Sequence, residues 1–85
     1  MEQGDLQHRV RQLVEGFAPM LVTDASGSSL LVQDLGYDSL GLLELAAALE
    51  REFDLSSIPE SDALDVRSVD DVERLVLRRL SEVSR

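Results

Sequence analysis

The sequence predicts an all-α fold: a small bundle of three main helices plus one short helix, with a long loop between the first two. Apolar residues recur at i, i+3, i+4 and i+7 in three separate stretches, which is the period of a helix with one buried face. No hairpin turn joins two alternating apolar runs, so a sheet has little to build on. Of 85 residues, 44% are hydrophobic, dominated by 16 Leu and 9 Val, which suffices for one modest core and argues against disorder.

The first helix is expected over about 5–17, where Leu6, Val10, Leu13, Val14 and Phe17 share a face and Pro19 stops the run. From Pro19 to Asp38 no period persists, and Thr23-Asp24-Ala25-Ser26-Gly27-Ser28-Ser29 reads as loop. About twenty residues is long for a connection in so small a chain, a length usually tied to function or disorder. Its apolar members Leu21, Val22, Leu30, Leu31, Val32 and Leu35 suggest that it packs across the helices. A second helix is expected over 39–53 and a short one over 60–65, after Ile58-Pro59. The last, over 69–82, is announced by Ser68 with Asp71 three residues on, a capping-box variant. Val69, Val72, Leu75, Val76, Leu80 and Val83 then follow at helical spacing. One domain spanning 1–85 accommodates all of this, without repeats.

Seventeen acids against eight bases, all Arg, give a net charge of −9. That excess disfavours nucleic acid and anionic membrane surfaces and favours a basic partner. Its distribution is uneven: residues 34–65 hold nine acids and one Arg, hence −8, whereas 66–85 come to +1. Cys is absent, which excludes disulfides, thiolate metal sites and a thiol nucleophile. The single His, His8, sits on the polar side of the first helix, so no Ser-His arrangement and no His-rich metal site can be assembled. No catalytic residues and no metal ligands are assigned. The longest apolar run is five residues and no signal-peptide pattern opens the chain, so a cytoplasmic monomer is the expectation.

The second helix is apolar on two sides. At about 100° per residue, Leu42, Leu45, Ala46, Leu49 and Phe53 form a core stripe. The opposite side holds Leu40, Leu43, Glu44, Ala47 and Arg51, with Glu50 on its flank. Either the long loop buries Leu40 and Leu43, or this acid-rimmed strip docks a partner with a basic rim. Helix-start logic alone makes Ser39 the N-cap, with Asp38 a favourable charge at the positive helix end.

Leu35-Gly36-Tyr37-Asp38-Ser39-Leu40, followed by Glu44-Leu45, Leu49-Glu50-Arg51-Glu52-Phe53 and Ile58-Pro59, closely resembles the acyl carrier protein family. The Gly-Tyr-Asp-Ser-Leu form is most similar to the discrete (type II) carriers of bacterial polyketide synthases, and the resemblance extends to about Leu80. It implies that Ser39 is the attachment serine for 4′-phosphopantetheine, donated by coenzyme A through a phosphopantetheinyl transferase, with Asp38 engaging that transferase and its magnesium ion. It also implies that Leu40, Leu43, Glu44, Ala47 and Glu50 meet partner enzymes: ketosynthase, malonyl or acyl transferase, and tailoring enzymes. Gly41 and Arg51 stand where many fatty-acid carriers have acids. Two further readings are a peptidyl carrier of a nonribosomal peptide system and an unmodified acidic helical interaction module. A slot bounded by Ala46, Ala47, Ile58, Leu64 and Val72 could store an attached chain between the helices.

Overall fold

The computed structural model describes residues 3–20 and 26–83, and it is helical: α1 Gln3–Phe17, α2 Ser39–Phe53, α3 Glu60–Asp65 and α4 Val69–Val83. The first helix begins two residues before the expected Asp5, because apolar periodicity, which starts at Leu6, does not register a polar opening turn. The last runs one residue beyond the expected end.

Helix α2 lies at the centre, packing against each of the other three, while α1 also packs on α4. All five residues of its expected core stripe are buried, joined by Val10 and Val14 of α1 and by Val72 and Val76 of α4. Two ion pairs stitch the helices from outside the core. Arg9 of α1 reaches the Glu52 carboxylate of α2 at 2.7 Å while its guanidinium lies over the Phe53 ring, 4.5 Å from the centroid. Arg11 meets Glu73 of α4 at 2.9 Å, which gives the buried Glu73 carboxylate a charged hydrogen-bond partner. The Ser68–Asp71 box closes reciprocally at the start of α4: the Asp71 amide donates to Ser68 Oγ (3.2 Å) and the Ser68 amide to Asp71 Oδ2 (3.1 Å).

The loop before α2 is integral to the bundle. Its 31–35 segment is a helical turn in which the Asp34 amide donates to the Leu30 carbonyl, 2.9 Å, and Asp34 Oδ2 accepts the Leu30 amide, 2.8 Å. One turn carries positions four apart to the same side, so Leu31 and Leu35 are fully buried whereas Leu30 and Val32 are exposed. Packing across the helices therefore holds for two of the six apolar loop residues and fails for Leu30 and Val32; Leu21 and Val22 lie outside the described residues. The same segment is fixed to the start of α4 by the Leu31 amide donating to Arg67 O (2.9 Å) and the Val69 amide to Ser29 O (3.1 Å), around an isolated antiparallel bridge between Leu30 and Ser68. Burying Leu31 and Leu35 contributes about 1.5–3 kcal/mol each, enough to offset ordering of the few residues around them.

Helix α2 ends on Asp54, whose φ of 55° is left-handed and whose amide closes on the Glu50 carbonyl. The following link is tied back by the Ile58 amide, which donates to Glu50 Oε2 at 2.6 Å. Among the described residues no helix is long and apolar enough to cross a membrane.

Candidate functional site

The amino end of α2 is set by three consecutive residues with separate tasks. Gly36 turns the chain at a φ of 81°, and a β-carbon there would stand 2.8 Å from Met20 Cγ, so both backbone shape and space require Gly. Tyr37 then points inward: its hydroxyl donates to the Val14 carbonyl at 2.7 Å and its amide to the Leu31 carbonyl at 2.9 Å. Burial pushes this phenol well above the usual tyrosine range, which keeps it a neutral donor. Tyr37 thus locks the helix start to α1 and the loop together.

Asp38 is the N-cap. Its Oδ1 accepts the Gly41 amide at 2.8 Å and its carbonyl accepts the Leu42 amide at 2.9 Å. The expectation that Ser39 caps the helix is therefore corrected: Ser39 is the first residue inside it. Gly41 accommodates that cap, since a β-carbon there would come within 3.1 Å of the Tyr37 ring and 3.2 Å of Asp38 Oδ1. A side chain there would crowd the Asp38 cap; Gly leaves the carboxylate room to close on the amide.

Displacing Ser39 from the cap changes its chemistry. The residue is exposed, and its hydroxyl makes no hydrogen bond among the described residues. The backbone amides of Ser39 and Leu40, in the first turn of a fifteen-residue helix, likewise have no acceptor among the described residues. A phosphodiester formed on this hydroxyl would sit beside free amides at the positive end of the helix, so the site fits an anion attached at Ser39.

The strip running from Ser39 along α2 is open at its start. Leu40 is 64% exposed, so the loop does not bury it; Glu44 and Arg51 are exposed, while Leu43 and Ala47 are half-buried. Glu50 differs from the free surface acid expected: it is half-buried and its carboxylate is engaged by the Ile58 amide. The expected storage slot is also revised. A small cavity of about 10 Å³ does lie beneath α2, lined by Leu42, Ala46, Ala63 and Val72 among others, but it has room for about one water. Ala47, Ile58 and Leu64 do not line it; Ile58 is packed in the core and Leu64 faces outward. His8, as expected, is exposed on α1.

Tyr37 and Gly41 are the site residues that sequence reasoning passed over. Tyr37 is the chain's only tyrosine and lies between a turn Gly and the helix start, a signal that a specific buried contact was needed. Gly41, unfavourable inside a helix, marks a close approach.

Comparison with known proteins agrees with this geometry. Residues 8–76 match the family described as phosphopantetheine attachment site. An acyl carrier protein from Clostridium acetobutylicum is 34% identical over 74 residues, which cover 87% of this chain and 95% of that protein. Among solved structures, a candidate acyl carrier protein from Mycobacterium tuberculosis superposes with a TM-score of 0.74 at 30% identity, covering 85% of this chain and 95% of the other. The chain belongs to the acyl carrier protein family, whose prosthetic group is 4′-phosphopantetheine.

Proposed function

We propose that Ser39 is the residue that carries 4′-phosphopantetheine, and that the protein carries malonyl and growing acyl chains for polyketide assembly without catalysing a reaction itself. The observation that carries the first part is the exposed, unbonded Ser39 hydroxyl at the first position of α2, immediately after a cap that leaves two amides free. In the modification, Ser39 Oγ bonds to the phosphorus next to the pantetheine of coenzyme A, the pyrophosphate bond breaks, and adenosine 3′,5′-bisphosphate leaves. The hydroxyl proton goes to a base of the transferase, because the only His of this chain sits on α1. Asp38, whose Oδ2 makes no hydrogen bond among the described residues, is available to the magnesium ion of that transferase. The bound arm supplies a thiol, absent from this Cys-free chain, on which acyl groups are held as thioesters.

Partner enzymes dock, in this reading, on Leu40, Leu43, Glu44 and Ala47, a stripe at i, i+3, i+4 and i+7 that starts beside Ser39. The −8 carried by residues 34–65 steers a basic docking patch on a transferase or ketosynthase toward it. Glu50 adds charge on the flank while its main work is bracing Ile58. The Gly36-Tyr37-Asp38-Ser39-Leu40 form supports a polyketide rather than a fatty-acid or peptide pathway. The absence of an apolar span among the described helices fits a cytoplasmic carrier.

Incubation of the purified protein with coenzyme A and a phosphopantetheinyl transferase of broad specificity tests the reading by intact mass. One phosphopantetheine adduct is expected on the wild type and none on Ser39→Ala. An adduct on both, or on neither, overturns it.

A further inference from the structure

Between α3 and α4 runs a groove of about 400 Å³, and none of the residues lining it belongs to α2. Its two walls carry opposite charge. Arg67, at the approach to α4, and Arg74 and Arg78, one turn apart on that helix, form one wall; Asp62 and Asp65 of α3 form the other. Val66 and Leu75 are the apolar part of the lining.

Most of this charge is unspent. Elsewhere in the bundle, Arg9 and Arg11 are consumed by ion pairs between helices. The guanidinium groups of Arg67 and Arg78, by contrast, are exposed and have no partner among the described residues. Only the main chain of Arg67 is engaged, its amide by Asp71 Oδ2 and its carbonyl by the Leu31 amide, which fixes where the side chain starts. Arg74 donates through Nη2 to Asp71 at 2.8 Å, yet its side chain is 69% exposed and its remaining donors are available. Asp71 is the groove acid that is used up, with Oδ1 on Arg74 and Oδ2 on the amides of Arg67 and Ser68. Asp62 and Asp65 enter no ion pair among the described residues.

We propose that this groove docks an amphipathic helix of a partner protein, with a row of acids against the α4 arginines and a row of bases against Asp62 and Asp65. Charge complementarity selects that occupant. A compact polyanion such as phosphate suits the arginine wall but meets two carboxylates across the groove. A helix, about 10 Å across, presents different residues to each wall and satisfies both. Arg also pairs a carboxylate through two parallel N–H bonds, which favours a Glu or Asp row on that side. Because the groove excludes α2, a helix seated in it holds the protein while Ser39 and the strip from Leu40 to Ala47 stay open to a second partner. The inference does not depend on attachment at Ser39.

A designed Ala-based helical peptide of about 18 residues tests this, with Glu at i, i+4, i+7 and i+11 and Lys one residue after each, titrated into the full-length protein at low salt. Amide NMR shifts are expected on Asp65, Arg67, Arg74 and Arg78 and not on Leu40 or Glu44, and they should fade as salt is raised. Arg67→Gln and Arg78→Gln should each weaken binding about two- to fivefold, as for an exposed ion pair, with an unchanged urea midpoint because neither side chain is bonded. Ser39→Ala should bind like the wild type, which separates this result from the fate of the attachment site. A peptide of the same composition with Glu and Lys mixed within each row should bind more weakly. Equal binding of the mixed peptide, shifts on the α2 strip or nowhere, the same shifts from inorganic phosphate alone, or groove shifts produced by raising the protein concentration without peptide would overturn the proposal.

Discussion

Asp38 and Ser39 divide a task that a single residue could have performed badly. If Ser39 both capped α2 and carried the phosphodiester, modification would consume the capping oxygen; with the cap on Asp38, the serine is free to react while the helix start stays closed. Asp38→Ala should therefore lower stability by about 1 kcal/mol in urea unfolding, whereas Asp38→Asn, which keeps an acceptor, should stay within a few tenths. Tyr37 is the other residue on which the site depends. Its pKa is raised in the folded state, so folding opposes ionisation: the stabilisation is complete below the usual tyrosine value near pH 10 and is lost as pH rises above it. Unfolding free energy should then fall by up to about 1.4 kcal/mol per pH unit in that alkaline window. Tyr37→Phe should flatten the fall while costing about 0.5–1.5 kcal/mol at neutral pH through the lost bond to Val14. Because this is the only tyrosine and Trp is absent, phenolate absorbance reports it alone.

Among the elements, how much could be read in advance followed from what each one depends on. α2 and α4 were legible because their stripes and the Ser68–Asp71 box are local patterns with one physical meaning. The cap on α2 was not, because a serine at the expected helix start reads as the cap, whereas the structure closes Asp38 Oδ1 on the Gly41 amide and leaves Ser39 inside the helix. The loop was half legible. Its apolar residues promised packing, but which of them face inward depends on the turn held by Asp34, whose side chain bonds a backbone amide four residues earlier. Glu50 illustrates the same limit, since an acid on a helix flank reads as a docking charge until the Ile58 amide is found against it. The C-terminal end of α2 offers a test at this scale. Asp54 holds a left-handed φ with a β-carbon, and its negative charge sits at the negative end of the helix. Asp54→Gly should raise stability by about 0.5–1 kcal/mol, read from the urea midpoint at unchanged m-value.

For the whole molecule the governing property is the asymmetry of charge. The −9 total lies almost wholly in residues 34–65, which contain the proposed modification site, α2 and α3, while the arginines of α1 facing α2 and α4 are spent on internal pairs. A carrier must meet several enzymes and leave each quickly, which long-range steering by exposed charge serves better than a large apolar interface. Glu44→Lys should lower kcat/KM for the transferase severalfold at low salt and leave it nearly unchanged at high salt, with little effect on stability because Glu44 is exposed. Equal losses at both ionic strengths would point to a contact other than steering.

The central claim, that Ser39 is the anchor, can be read directly at the level of a peptide. The chain has no Lys, so trypsin cuts only after Arg and releases residues 12–51 as one fragment, holding Ser26, Ser28, Ser29 and Ser39. After treatment with coenzyme A and a phosphopantetheinyl transferase, fragmentation of that peptide should place the whole phosphopantetheine mass on Ser39. The mass on any other serine, or an unmodified peptide, would contradict the account.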